Sequence, residues 1–279
     1  MKLWYDFWQL LPIPMLHWDF MCNALLAVLL LAPLFGLCST MIVTGRMSFF
    51  SDALGHSAFT GIAIGCICGI AEPTWVSVLF AIAFALLFSL VRSKSSHSAD
   101  TIIGVFSSTA VALGIFIATF DGGSFTKYNR YLIGDILSIT PGQIGLILLT
   151  LLLTILYWIF FSNRLALASV YPQLASSRGI RVSLVQAGFT AFIAVVVTLS
   201  ISSVGLLILN SLLVLPGAAA RNISRSLRQY HFFSVLFALI AGISGLVISY
   251  ALGASTGAAI SLILAVIFAV SFTLRKVRG

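Results

Sequence analysis

Charge is what this 279-residue chain has least of: Asp, Glu, Lys and Arg together make up 8% of it, against 60% hydrophobic residues. A soluble domain carries about 25% charged residues, and a surface this poor in charge cannot be held in water. Cysteine is scarce as well. Cys22, Cys38, Cys66 and Cys68 all lie in or beside apolar stretches, which argues against both a disulfide framework and a zinc finger. Cys66 and Cys68 stand two apart and so point to different sides of a helix, leaving small-residue packing as their default role. There is no G-x-x-x-x-G-K-[ST] loop to cradle a nucleotide, and no H-E-x-x-H or Ser/His/Asp arrangement to support hydrolysis within a membrane. No internal repeat and no soluble domain is visible. The start does not read as a cleaved signal peptide, because Pro12 and Pro14 interrupt its apolar run. What these absences leave is a polytopic membrane protein.

Crossing about 30 Å of hydrocarbon takes roughly 20 helical residues. Uncharged apolar stretches of that order run over Ala24–Thr44, Ala53–Ile70, Thr74–Val91, Thr101–Phe120 and Gly142–Ser162. Two longer stretches are predicted to divide: Val182–Ala220 near Ser200–Ser203, and Phe232–Leu274 near Gly253–Thr256, where small and turn-forming residues cluster. The expected fold is therefore all-α with about eight or nine transmembrane helices, the segment Val204–Leu215 being short enough for a half-helix. A barrel would show alternation, whereas these segments are apolar all round.

Acids are the rarer sign of charge, seven against fifteen Lys and Arg, giving a net charge of +8. Placing the loop after Thr44 in the cytoplasm puts twelve Lys and Arg inside and leaves only Lys2, Lys127 and Arg130 outside. That bias follows the positive-inside rule and explains the basic balance without nucleic acid. It predicts a cytoplasmic C-terminus and an external start, residues 1–22, whose Trp4, Tyr5, Phe7, Trp8 and Trp18 suit the headgroup interface. Residues 23–279 then form a single transmembrane domain.

Three polar features stand out where apolar residues would be cheaper. In Ser48-Phe-Phe-Ser-Asp-Ala-Leu-Gly-His56, Asp52 and His56 are four apart and share a helix face one turn apart. A carboxylate inside a bilayer costs about 2.5–3.5 kcal/mol on the insertion scale. A carboxylate and a neutral imidazole at that spacing suit a divalent transition metal. The alternative is an Asp52 near the headgroups that pairs with Arg46 or caps the helix. The second feature follows Pro216 and Gly217: Arg221, Arg225 and Arg228, spaced four and three apart, are expected on one helical stripe beyond the small-residue run Gly217–Ala220. Such a stripe suits either anionic lipid or a docking helix for a cytoplasmic partner. The third is the outside segment Asp121–Asp135, with its Gly pair and aromatics, read as a docking surface or as an ordinary connection.

Taken together, Arg46-Met-Ser-Phe-Phe-Ser-Asp-Ala-Leu-Gly-His-Ser-Ala-Phe-Thr-Gly61, Tyr131-Leu-Ile-Gly-Asp-Ile-Leu137 and Ser211-Leu-Leu-Val-Leu-Pro-Gly-Ala-Ala-Ala-Arg221 resemble, in order, signature stretches of the permeases of zinc/manganese/iron ATP-binding-cassette importers. Gly55 and Gly217 depart from the family only by exchanging one small residue for another. The resemblance implies a permease, not itself an enzyme, that forms a homodimer or pairs with a second permease in a bacterial plasma or inner membrane. Two cytoplasmic ATPase subunits and an external solute-binding protein would complete it, and the architecture would be that of a reduced cobalamin/siderophore-type permease. Asp52 and His56 would line the path of a transported zinc, manganese or iron ion, with no permanently bound cofactor. Pro216, Gly217, Ala220, Arg221, Arg225 and Arg228 would belong to a coupling helix near residues 217–231 that meets the ATPase. Tyr131, Gly134 and Asp135 would face the binding protein. The rival readings are a metal-chelate permease, favoured by a wide cavity without Asp/His ligation, and a standalone proton-coupled carrier, which requires more buried acids than one.

Overall fold

The computed structural model describes residues 4–5, 14–70, 72–120 and 135–278, and among them every regular element is helical. After a short 3-10 turn at Pro14–His17 come α1 (Asp19–Thr44), α2 (Phe50–Ile67), α3 (Pro73–Lys94) and α4 (Ala99–Phe120). A second 3-10 turn, Ile136–Ser138, leads into α5 (Pro141–Val170), the six-residue α6 (Pro172–Ser177) and α7 (Val182–Val204). The chain finishes with α8 (Leu206–Ile223), α9 (Leu227–Leu252) and α10 (Thr256–Arg278). Among the described residues, eight helices are long and apolar enough to cross a membrane: all but α2 and α6. In α2 the eighteen residues include Asp52, His56 and several Ser, Thr and Gly, which dilute its hydrophobicity. The chain is thus a multi-pass membrane protein.

Both long hydrophobic stretches divide, and glycine sets the place. Gly205 has φ of 84° and Gly253 φ of 62°, left-handed values that side chains disfavour. The second break falls where the small residues predicted it. The first lies past Ser200–Ser203, which stay helical. The half-helix expected at Val204–Leu215 is corrected too: α8 runs on through Pro216 to Ile223. A neighbouring serine makes this tolerable, as hydroxyls do around proline in membrane helices. Ser39 of α1 donates from Oγ to the Val214 carbonyl at 3.3 Å and accepts from the Gly217 amide at 2.8 Å.

By its internal contacts the chain forms two compact units, residues 1–40, 134–155 and 203–279 in one, 41–133 and 156–202 in the other. In the first, α8, α9 and α10 pack on one another, and the first part of α1 joins them. Small residues permit the approach. A methyl group at Gly217 would stand 2.5 Å from Ser39 Oγ and 2.7 Å from its carbonyl oxygen. Ser234 Oγ donates to Gly36 O at 2.6 Å, and Tyr230 Oη to Thr40 O at 3.1 Å. Part of the aromatic start docks here as well: Trp4 Nε1 donates to Cys22 O and Tyr5 Oη to Asn23 Oδ1. Gly217→Ala is therefore expected to destabilise the protein by about 1–3 kcal/mol through overpacking, read as a lower unfolding temperature in detergent.

In the second unit α2 is the hub. Thirteen of its eighteen residues are buried, with α3 and α4 packed on it. A methyl at Gly61 would stand 2.5 Å from Ser77 Cα, and one at Gly114 2.6 Å from Phe59 Cδ1. Ser77 Oγ donates to Ala58 O at 2.7 Å and Thr60 Oγ1 to Ala110 O at 2.8 Å. Interhelical hydrogen bonds and close backbones are what hold helices together where lipid removes the hydrophobic drive between them. In the same unit, Tyr157 of α5 stacks on Phe192 of α7, ring centroids 4.3 Å apart.

Candidate functional site

The connection from α1 to α2 fixes where the polar pair begins. The Gly45 amide donates to Met41 O and the Met47 amide to Ile42 O, closing a tight turn in which Arg46 takes a left-handed φ of 54°. Arg92 of α3 donates from Nη2 to Gly45 O at 3.0 Å and clamps the turn from the side. Phe50 then starts α2, stacked on Phe88 at 4.5 Å, without a side-chain cap from Phe49. Asp52 falls in the first turn, where the helix dipole favours an anion.

One turn on, His56 Nε2 lies 3.5 Å from Asp52 Oδ2. Their side chains are 27% and 43% exposed, for His56 and Asp52 respectively. Everything else on α2 from Phe50 to Ala63 is buried. The face this helix leaves uncovered is therefore a carboxylate and an imidazole, where a lipid-facing helix shows Leu and Ile. Hydrocarbon is an expensive neighbour for such a face. The spacing also has chemical meaning: tetrahedral ligands at about 2.0–2.2 Å from a metal lie about 3.3–3.6 Å from each other. Among the described residues no third His, Cys, Asp or Glu completes a cluster. The pair by itself is an incomplete ligand set, two donors where a closed structural site has four.

The basic segment takes a shape the sequence spacing does not suggest. Arg221 lies in the last turn of α8, Arg225 in the connection, and Arg228 in the first turn of α9. The expected single stripe is thus replaced by a helix–turn–helix, on which all three arginines are exposed. Ser224 ends α8, its amide bonded to Ala220 O. Ser226 starts α9 by accepting from the Gln229 amide at 3.3 Å, and Gln229 Oε1 accepts from the Arg225 amide at 3.0 Å. This reciprocal capping, Ser226-x-x-Gln229, is a sequence signal for a helix start that charge spacing alone overlooks. Pro216, Gly217 and Ala220 are buried, and Gly217 meets Ser39 of this same chain.

Of the third group, Tyr131 and Gly134 lie outside the described residues. Asp135 is exposed and caps the turn Ile136–Ser138, its Oδ1 accepting from the Leu137 amide at 3.0 Å.

Eight helices long and apolar enough to cross a membrane make the described residues those of a multi-pass membrane protein, one that carries a polar couple on a largely buried helix and an exposed cationic turn. The chain belongs to the ABC 3 transport family, whose sequence profile matches residues 17–275. It is 26% identical over 91% of its length to the high-affinity zinc uptake system membrane protein ZnuB of Haemophilus influenzae, covering 97% of that protein. It is 25% identical over 95% of its length to the manganese transport system membrane protein MntC of Listeria innocua, covering 94% of it. Among solved structures it is similar to PsaBC from Streptococcus pneumoniae in complex with Fab: TM-score 0.79, 25% identity, 98% of this chain and 95% of that one. A transporter described as of the metal-chelate type, in an inward-facing conformation, shares the fold at TM-score 0.69 and 16% identity, over 93% of this chain and 86% of that one. The expected all-α permease architecture is the one found.

Proposed function

We propose that this chain is the permease subunit of an ATP-driven importer carrying a divalent transition metal, zinc, manganese or iron, across the plasma or inner membrane. The observation that carries this reading is the uncovered Asp52–His56 face, two donor atoms 3.5 Å apart on a helix buried on every other side from Phe50 to Ala63. A second copy placed about a two-fold axis contributes the same pair, so that two carboxylates and two imidazoles line one path. Four such donors strip water from a dehydrating cation and neutralise its charge, which hydrocarbon cannot do. The zinc and manganese relatives support the class of cargo.

Energy enters at the cytoplasmic side. The arginine helix–turn–helix docks on a cytoplasmic ATPase, and Pro216, Gly217 and Ala220 act behind it, keeping α8 against α1. With this turn and the C-terminus cytoplasmic, Asp135 and the preceding Tyr131 and Gly134 meet an external metal-binding protein. ATP binding then biases inward- and outward-facing states through the docked turn.

The test is reconstitution of the chain with its ATPase in proteoliposomes that are offered zinc, manganese and iron in competition. ATP-dependent accumulation of one of these ions is expected. Accumulation that needs no ATPase, or ATP-dependent transport of a chelate but not of the bare ion, overturns the reading.

A further inference from the structure

The second unit carries a cavity that the transport path does not use. Helices α3 and α4 both pack on α2 and only slightly on each other, which leaves a slot of about 340 Å³ between them. Its floor is a pair of rings, Phe84 standing edge-on to Phe106 at 5.2 Å, with the buried Phe88 behind Phe106 at 5.5 Å. Ala83 and Leu87 form one wall, Val105 and Leu113 the other. The polar side chain of the lining, Thr109, donates to Val105 O at 2.7 Å within its own helix. The slot thus offers an occupant contact but no hydrogen bond.

We infer that this slot binds one acyl chain of an anionic phospholipid, with the headgroup held at Lys94. Size argues for a chain rather than a helix. Ten ångströms of α-helix fill roughly 800 Å³, whereas 340 Å³ holds about eleven methylenes at roughly the volume of a water molecule each. Position argues for lipid. Phe80, Phe84, Leu87, Val91 and Lys94 follow one another by four, three, four and three residues, a single stripe along α3. Along α3, Leu87 stands about 10 Å from Lys94 and Phe80 about 20 Å, so the slot lies near the bilayer midplane and takes the methyl-terminal half of an acyl chain whose headgroup is at Lys94. Charge argues for an anion. Lys94 is exposed at the end of the stripe, beside exposed Ser96, His97 and Ser98, while Arg92 is turned to Gly45 O. Asp100, in the first turn of α4, limits how much negative charge the place accepts and favours one phosphate over several. A basic place between helices at the membrane edge is where lipid phosphates collect.

Native mass spectrometry of the full chain, purified in detergent with added dioleoyl phosphatidylglycerol or dioleoyl phosphatidylcholine, tests this. The unmodified protein is expected to keep one phosphatidylglycerol per chain, and a diazirine-labelled acyl chain to cross-link to α3 and α4. Ala83→Trp and Leu113→Trp fill the slot from opposite walls, at exposed positions that do not support α2, and each is expected to lose that lipid. Lys94→Gln is expected to keep the slot but lose about fivefold in preference for phosphatidylglycerol over phosphatidylcholine. Both tryptophan variants holding as much lipid as the unmodified chain would overturn the inference. So would their dissociating an oligomer without losing lipid, since a second copy of the chain would then be the occupant.

Discussion

Asp52→Ala and His56→Ala, each alone, are expected to abolish ATP-driven metal uptake while the complex assembles in normal amounts. Assembly survives because both side chains are part-exposed and neither fills the packing of α2 against α3 and α4, which rests on Gly61, Thr60, Ser77 and Gly114. Uptake fails because each substitution removes one of only two donors that α2 presents. Loss of an outer-shell partner already costs metal sites about 10–100-fold, so loss of a ligand costs at least that. Asp52→Asn separates this role from a structural one. The amide keeps the shape but surrenders the charge, and uptake is expected to fall nearly as far as with Ala. Radiotracer uptake in vesicles with co-purified ATPase is the measurement, and unchanged uptake in both alanine variants would remove the pair from the transport path.

Reversing Arg221, Arg225 and Arg228 to Glu is expected to release the ATPase without unfolding the permease. Arg228 occupies the first turn of α9, where the helix dipole disfavours a cation. An acid at that position suits the helix dipole, so the reversal is not expected to destabilise α9. The triple variant is expected to keep its unfolding temperature, to lose at least about tenfold in pull-down of the ATPase, and to lose stimulated ATP hydrolysis. The unmodified pair is expected to separate more readily as salt rises, since exposed charges are screened within about 8 Å at physiological ionic strength. A triple variant with full stimulated hydrolysis would leave the turn as a lipid-contacting basic patch and nothing more.

Most spans were legible because a membrane helix needs a long uncharged run, and that requirement is written residue by residue; the exception is Ala53–Ile70, which falls on α2 and is not among the eight helices apolar enough to cross. Of the two breaks, the one at Gly253 was legible, while the other came at Gly205, past the Ser200–Ser203 expected for it; both take a left-handed backbone that calls for a residue without a side chain. The resemblance in three ordered motifs was legible too, and the family match over residues 17–275 agrees with it. The arginine stripe was misread because spacing of four and three assumes one continuous helix. Ser224 and Ser226 interrupt it, and the Ser226–Gln229 cap that marks the restart was present in the sequence but overlooked.

By itself, then, the amino-acid sequence determined that this protein lives in lipid, how many membrane-crossing helices its described residues hold to within one, and which two ionisable groups on α2 stand a turn apart. Each of these depends on neighbours along the chain, through hydropathy and the 3.6-residue repeat. Only the tertiary structure decided that Asp52 and His56 form the one face of α2 left uncovered from Phe50 to Ala63, that Gly217 exists to meet Ser39, and that a lipid-sized slot opens between α3 and α4. Burial and close approach are set by residues far apart in the chain, here Gly61 with Ser77 and Gly217 with Ser39, and no local pattern records which helix will lie against which.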